Sequence, residues 1–155
     1  MNINLNTRMK LVKESLNEFG KGVDPLKTME LGKTGEIRKF FSELGISDTE
    51  YIIGDRDIIY FSTGLDLNNS ELIELPDNLM IDKHLDLVKS KIKKLPNKLI
   101  VDQNLYLMGT PIHELPEDLI VRGHIYISVY QKKLEKWMEN RLKFSKKLRH
   151  WTGEF

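Results

Sequence analysis

The chain has 155 residues, 40% hydrophobic and 30% charged, with a formal net charge of +1 and no cysteine. That length fits one compact domain. The near-neutral balance gives no global field for nucleic acid or anionic lipid, and the lack of thiols excludes disulfides and thiolate metal sites and fits a reducing compartment. The opening MNINLNTRMKLVKESLNEF contains no uninterrupted apolar run of the signal-peptide kind, and no stretch approaches the ~20 apolar residues of a membrane span. The composition therefore predicts a cytoplasmic protein.

The charge is uneven. From Gln131 to Trp151 there are eight Lys/Arg against two Glu, a net +6, so the rest of the chain sums to −5. A mildly acidic body carries a basic tail.

In chain order, Thr7 is placed to cap a first helix to Phe19, with Met9, Val12, Leu16 and Phe19 on one stripe. Asp24-Pro25 opens a short second helix that Gly32 is expected to stop. Thr34 then caps a third, in which Ile37, Phe40, Phe41 and Leu44 share a face and Gly45 closes the end. Gly32-Lys33-Thr34 imitates the end of a phosphate-binding loop. That motif needs a glycine five residues earlier, where Lys27 stands, so a turn is expected here. Next, the β-rich residues Tyr51 to Ile53 and Ile58 to Phe61 flank a Gly-Asp turn and predict a hairpin, placed to cover the open end of a repeat array that begins at Leu65.

From Leu65 the chain repeats every 20 residues: LDLNNSELIELPDNLMIDKH, LDLVKSKIKKLPNKLIVDQN, LYLMGTPIHELPEDLIVRGH, then IYI. Apolar pairs recur as Leu65/Leu67, Leu85/Leu87, Leu105/Leu107 and Ile125/Ile127, and again as Leu79/Ile81, Leu99/Val101 and Leu119/Val121. A fixed period with apolar residues at fixed phase means stacked coils, each too small to bury its own face. The alternating LxL and LxV elements predict short strands stacking as parallel ladders, and the proline of each Leu-Pro turns the chain between them.

LDLVKSKIKKLP and LYLMGTPIHELP resemble the LxLxxNxLxxLP core of bacterial-type leucine-rich repeats. The LPxxLxV elements also look like short repeat proteins common in bacteriophage genomes, whose N-terminal segment is likewise helical. The resemblance covers about two-fifths of the chain. The expectation is a non-enzymatic protein-interaction module, phage-encoded and acting on a host or viral protein. The family's buried asparagine is Ser70, Ser90 and Thr110 here, whose hydroxyls can make similar bonds to backbone. The LxV element leaves a two-ladder β-solenoid and a horseshoe both open.

The expected fold is thus α+β: an N-terminal helical segment over 1–50, a hairpin and a short leucine-rich-repeat-like parallel β-solenoid of three to four coils over 51–128, and a basic capping helix over 129–155. The tail from Tyr130 to Trp151 places Leu134, Trp137, Met138, Leu142, Phe144, Leu148 and Trp151 on one broad helical face.

Several columns are candidates for function. Asp66/Asp86 and Asp82/Asp102 stack one coil apart, but neither pair has a third oxygen ligand at a recognisable spacing. His84 and His124 are two coils apart, about 10 Å, too far to share a metal; both are expected as exposed loop residues. No serine or threonine sits in a nucleophile context, so no catalytic residue, cofactor or metal is expected. The column Asp66, Asp86, Tyr106, Tyr126, flanked by Val88 and Met108, is the expected partner-binding surface. Met80, Ile100 and Ile120 should point outward from the other ladder. They are either covered by an N-terminal helix or form a self-association or partner patch. Finally, Arg141, Lys143, Lys146, Lys147 and Arg149 either sit solvated on the capping helix, or contact nucleic acid, or lie on an anionic bilayer.

Overall fold

The computed structural model describes residues 25–152. The helix expected over 7–19 lies outside them. The fold is α+β with parallel sheets, and the chain divides into two compact units after Tyr60.

The first unit contains α1 (Pro25–Glu43), β1 (Tyr51–Ile53), a 3-10 turn (Asp55–Asp57) and the start of β2 (Ile59–Phe61). α1 is one helix where two were expected: Gly32 and Gly35 lie within it. An interior glycine weakens a helix by about 1 kcal/mol without breaking it. The real terminator is Gly45, at φ 76°. The Ile46 N–H reaches the Phe41 carbonyl at 2.9 Å and the Gly45 N–H reaches Ser42 at 3.0 Å, which satisfies two orphan carbonyls of the last turn. Phe41, fully buried, meets the Tyr51 ring at 4.8 Å between centroids. Beside them the Tyr51 hydroxyl donates to Asp48 at 2.7 Å, and Arg38 pairs with the other Asp48 oxygen at 3.1 Å. β1 and β2 are hydrogen-bonded neighbours, and the Gly54 N–H closes the connection on the Ile58 carbonyl at 2.8 Å.

The repeats of the second unit supply short strands that pair in parallel with an offset of 20 residues. β3 (Leu65–Asp66), β5 (Leu85–Asp86), β7 (Leu105–Tyr106) and β9 (Ile125–Ser128) form one ladder, with Leu65 opposite Leu85, Leu85 opposite Leu105 and Leu105 opposite Ile125. β4 (Leu79–Ile81), β6 (Ile100–Val101) and β8 (Ile120–Val121) form the other, Met80 opposite Ile100 and Ile100 opposite Ile120. In-register pairing stacks like on like, so Leu65, Leu85, Leu105, Ile125 and Ile81, Val101, Val121 are all buried. Leu75, Leu95 and Leu115, before each proline, complete the core.

The same bond recurs from Phe61 onward. Asp82, Asp102 and Arg122 donate their N–H to Phe61, Ile81 and Val101 at 3.0, 2.9 and 3.0 Å. FSTGLDL over residues 61–67 thus matches IDKHLDL and VDQNLYL in phase. The bond pattern therefore reaches back to Phe61, four residues before Leu65; Ser62 and Thr63 hide it in the sequence.

The C-terminal segment departs furthest from expectation. A single helix from Tyr130 to Trp151 is replaced by α2 (Lys132–Glu139), the short α3 (Leu142–Ser145) and a strand, β10 (Leu148–Trp151). Arg141 breaks the helix at φ −128°, ψ 105°. β10 then adds to β9 in parallel, Leu148 opposite Ile125 and Arg149 opposite Tyr126. The reason is hydrogen bonding: an open ladder edge has unpaired N–H and C=O groups that a helix cannot satisfy and a strand can. Leu134, Met138 and Phe144 are buried as expected, whereas Leu142 is 73% exposed. No helix among the described residues is long and apolar enough to cross a membrane.

Candidate functional site

The surface column of the β3–β9 ladder runs Asp66, Asp86, Tyr106, Tyr126. Each is the residue after an inward Leu or Ile, so the strand alternation turns it away from the core. The spacing of parallel strands then brings the Tyr106 and Tyr126 rings into a stack, with centroids 5.0 Å apart and planes at 18°. Both are half-buried. The preceding column supplies a polar border. His84 lies edge-on to Tyr106 at 6.2 Å and His124 edge-on to Tyr126 at 6.3 Å. Asn104 between them donates to the Tyr106 hydroxyl at 3.3 Å and accepts the His124 N–H at 3.0 Å.

Gly64 begins the same column, and a Cβ there would lie 2.8 Å from the His84 ring; that glycine gives His84 its place. Both histidines lie just outside the strands as expected, His84 exposed and His124 half-buried, and each borders the tyrosine face. Their column position, immediately before each surface residue, is the sequence signal that links them to the tyrosines.

At the acidic end, the Asp86 carboxylate accepts the Val88 N–H at 2.9 Å and Asp66 accepts the Asn68 N–H at 3.1 Å. Each aspartate thereby fixes the turn after it. Arg149 continues the column beyond Tyr126 through its register with that residue.

One member of the expected surface is not on it. Met108 is only 6% exposed, and Ser128 in the same flanking column 5%, while Val88 is half-buried. The chain folds back along this flank. Gln131 donates from Nε2 to the carbonyls of Leu107 and Thr110 at 3.0 and 3.1 Å, and accepts the Ser128 N–H at 2.8 Å.

The outward column of the other ladder, Met80, Ile100 and Ile120, is in register as expected. Met80 and Ile100 are half-buried and Ile120 is 45% exposed. The five basic residues of the tail do not form one stripe. Arg141 turns back to Glu117 at 3.1 Å and stacks over Trp137 at 3.8 Å. Lys143 and Lys147 donate to the carbonyls of Glu117 and Arg122 at 2.6 and 3.2 Å. Lys146 is exposed, and Arg149 lies in β10.

Among the described residues no group of three or more His, Asp or Glu could hold a metal. His150 Nε2 meets Glu135 at 2.6 Å and Lys132 meets the other Glu135 oxygen at 2.9 Å. The Lys132 hydrogen bond, and then that from His150, hold the Glu135 carboxyl below the usual range. This cluster ties β10 to α2 and is structural. Comparison of the chain with protein-family models, with curated proteins and with solved structures finds no match.

Proposed function

We propose that the protein is a non-enzymatic interaction module, a short two-ladder β-solenoid of the leucine-rich-repeat kind, that binds a protein partner through the face carrying Tyr106 and Tyr126. The observation that carries the reading is the stacked, half-exposed tyrosine pair with His84 and His124 at its edges. Its rings are held in register by backbone pairing of β7 and β9, so little side-chain entropy remains to be lost on binding. Tyrosine offers an apolar face and a polar tip, the combination enriched at interface centres. Asp66 and Asp86 at one end favour a partner that is basic there. Strands two to four residues long with a fixed offset of 20 support the solenoid reading, since each repeat contributes one rung to each ladder. The sequence pattern supports a phage origin and a cytoplasmic setting in the host.

The test is affinity capture from the native host cell with wild-type bait and with the Tyr106→Ala/Tyr126→Ala variant. Circular dichroism should be unchanged, because both side chains lie outside the core, and the partner should be lost from the variant. Equal recovery of the same partner by both baits would remove this face as the binding surface.

A further inference from the structure

A second feature lies beside the tyrosine face. A surface cavity of about 470 Å³ is lined by Arg122, Gly123, His124, Leu142, Lys143, Lys146 and Lys147. No carboxylate lines it. Arg122 is shared with Asp102 at 3.2 Å, which leaves three lysines, Lys143, Lys146 and Lys147, lining one cavity with no carboxylate among its lining residues.

Two features of the chain build this concentration of charge. The first is a break in the repeat: the column that reads Asp82, Asp102 ends in Arg122, and the next reads Lys83, Gln103, Gly123. Gly123 is required where it stands, since a Cβ would fall 2.5 Å from the Gln103 carbonyl. The bare backbone there lets the last repeat sit close against the one before. The second is the break in the tail helix, which sets α3 beside this turn. Lys143 and Lys147 are anchored by one hydrogen bond each to the carbonyls of Glu117 and Arg122. An ammonium has three donors, so each anchored lysine keeps two while its position is fixed. Preorganised donors of one sign around a partly enclosed space are what binding a multiply charged anion requires.

The charge and shape select among anions. Three unshared cations exceed what a single carboxylate neutralises and suit a phosphate monoester, which carries about −1.5 to −2 charge and three acceptor oxygens. A phosphodiester backbone needs an extended basic track, and Arg141 and Arg149 are directed elsewhere, the one onto Trp137 and Glu117 and the other into β10. Leu142, 73% exposed in the cavity wall, offers an apolar contact for the organic part of the ligand. We infer that this cavity binds a small organic phosphomonoester, with Lys143, Lys146, Lys147 and Arg122 on the phosphate and Leu142 against the remainder.

The experiment is an NMR titration of the full chain with inorganic phosphate, a nucleoside 5′-monophosphate, the corresponding nucleoside, and an oligonucleotide lacking a terminal phosphate. Expected are saturable shifts at the Gly123 and His124 amides and the Leu142 methyls with the monophosphate, and none with the nucleoside. Inorganic phosphate should shift the two amides alone. Lys146→Glu, whose side chain is exposed and remote from the core, should weaken the monophosphate about tenfold or more, and Lys94→Glu, an exposed lysine outside the cavity, should not. Equal weakening by both variants would reduce the effect to bulk charge and overturn the site. So would absence of saturable shifts. Tighter binding of the oligonucleotide at the same residues would replace it with a phosphodiester track.

Discussion

Ser90 and Thr110 occupy the same column and are both buried, yet their hydroxyls fare differently. The Thr110 Oγ1 donates to the Leu107 carbonyl at 2.8 Å and accepts from Gln131 at 3.3 Å. The Ser90 Oγ is buried with no hydrogen-bond partner among the described residues. A buried unsatisfied hydroxyl opposes folding, whereas a paired one contributes about 1 kcal/mol. Ser90→Ala should therefore leave the urea midpoint unchanged or raise it, and Thr110→Ala should lower stability by about 1–2 kcal/mol. The reverse order would show that the column is governed by packing alone. The family resemblance placed polar residues in this column, but the hydroxyl spacing alone could not tell which would find a partner, because Gln131 comes from beyond the repeat.

A second residue-scale prediction concerns Tyr51 and Asp48. Burial, and then the hydrogen bond to Asp48, push the Tyr51 hydroxyl up to about 12. The Tyr51 bond, and then the charge of Arg38, hold Asp48 below its usual range. A raised tyrosine favours folding below its ordinary value near 10, a contribution lost as pH rises through about 12. A lowered aspartate contributes above its ordinary value and loses that contribution as pH falls through the lower one. Alkaline absorbance titration should show a phase near 12 that disappears in Tyr51→Phe. Asp48→Asn should flatten the acid limb of the stability profile. A tyrosinate phase retained in Tyr51→Phe would assign it elsewhere.

Between single residues and the whole lie the joints between elements, and the Gln131 joint is the most exposed to test. Its carboxamide satisfies two carbonyls of the 107–110 turn and one N–H of the 128–131 turn. It therefore clamps α2 to the repeats before it. Gln131→Ala removes these three bonds and the one to the Thr110 hydroxyl, and should cost about 1–3 kcal/mol, read as a lower urea midpoint with unchanged slope. No change would mean that Leu134 and Met138, both fully buried, suffice to seat the helix.

Legibility also divides at this scale. The strands of both ladders, their register and the inward leucines are readable because the 20-residue period repeats one physical requirement, core filling, at one phase. The tail is not. Its apolar residues fit a helical period over Leu134, Trp137 and Met138, and the same pattern continues through Trp151. What overrides it is the unpaired edge of β9, a need that arises only once the ladder exists. The cavity is hidden for the same reason. Lys143, Lys146 and Lys147 are visible as a basic run, but their convergence on Arg122 depends on the helix break at Arg141. Met108 is the converse case, a residue of surface phase that the returning chain buries.

At the scale of the molecule, each short strand of the second unit's two ladders is hydrogen-bonded to its ladder neighbours, so the ladder ends decide its behaviour. Neither ladder closes on itself among the described residues, and a bare terminal rung is a template for pairing with another chain. β10 answers this at the C-terminal end. It pairs all four residues of β9, and its exposed Arg149 puts charge where an incoming strand would dock. Deleting residues 148–155 leaves the tyrosine stack and the α2 joint in place but bares the β9 edge. The expected outcome is concentration-dependent association in light scattering, with faster amide exchange at Ile125 and Ile127, and little change in the burial of Leu105 and Leu107. A deletion variant that stays monomeric across the same concentrations, with Ile125 and Ile127 still protected, would mean that β10 is a passenger on the ladder and that its protection comes from the α2–α3 segment alone.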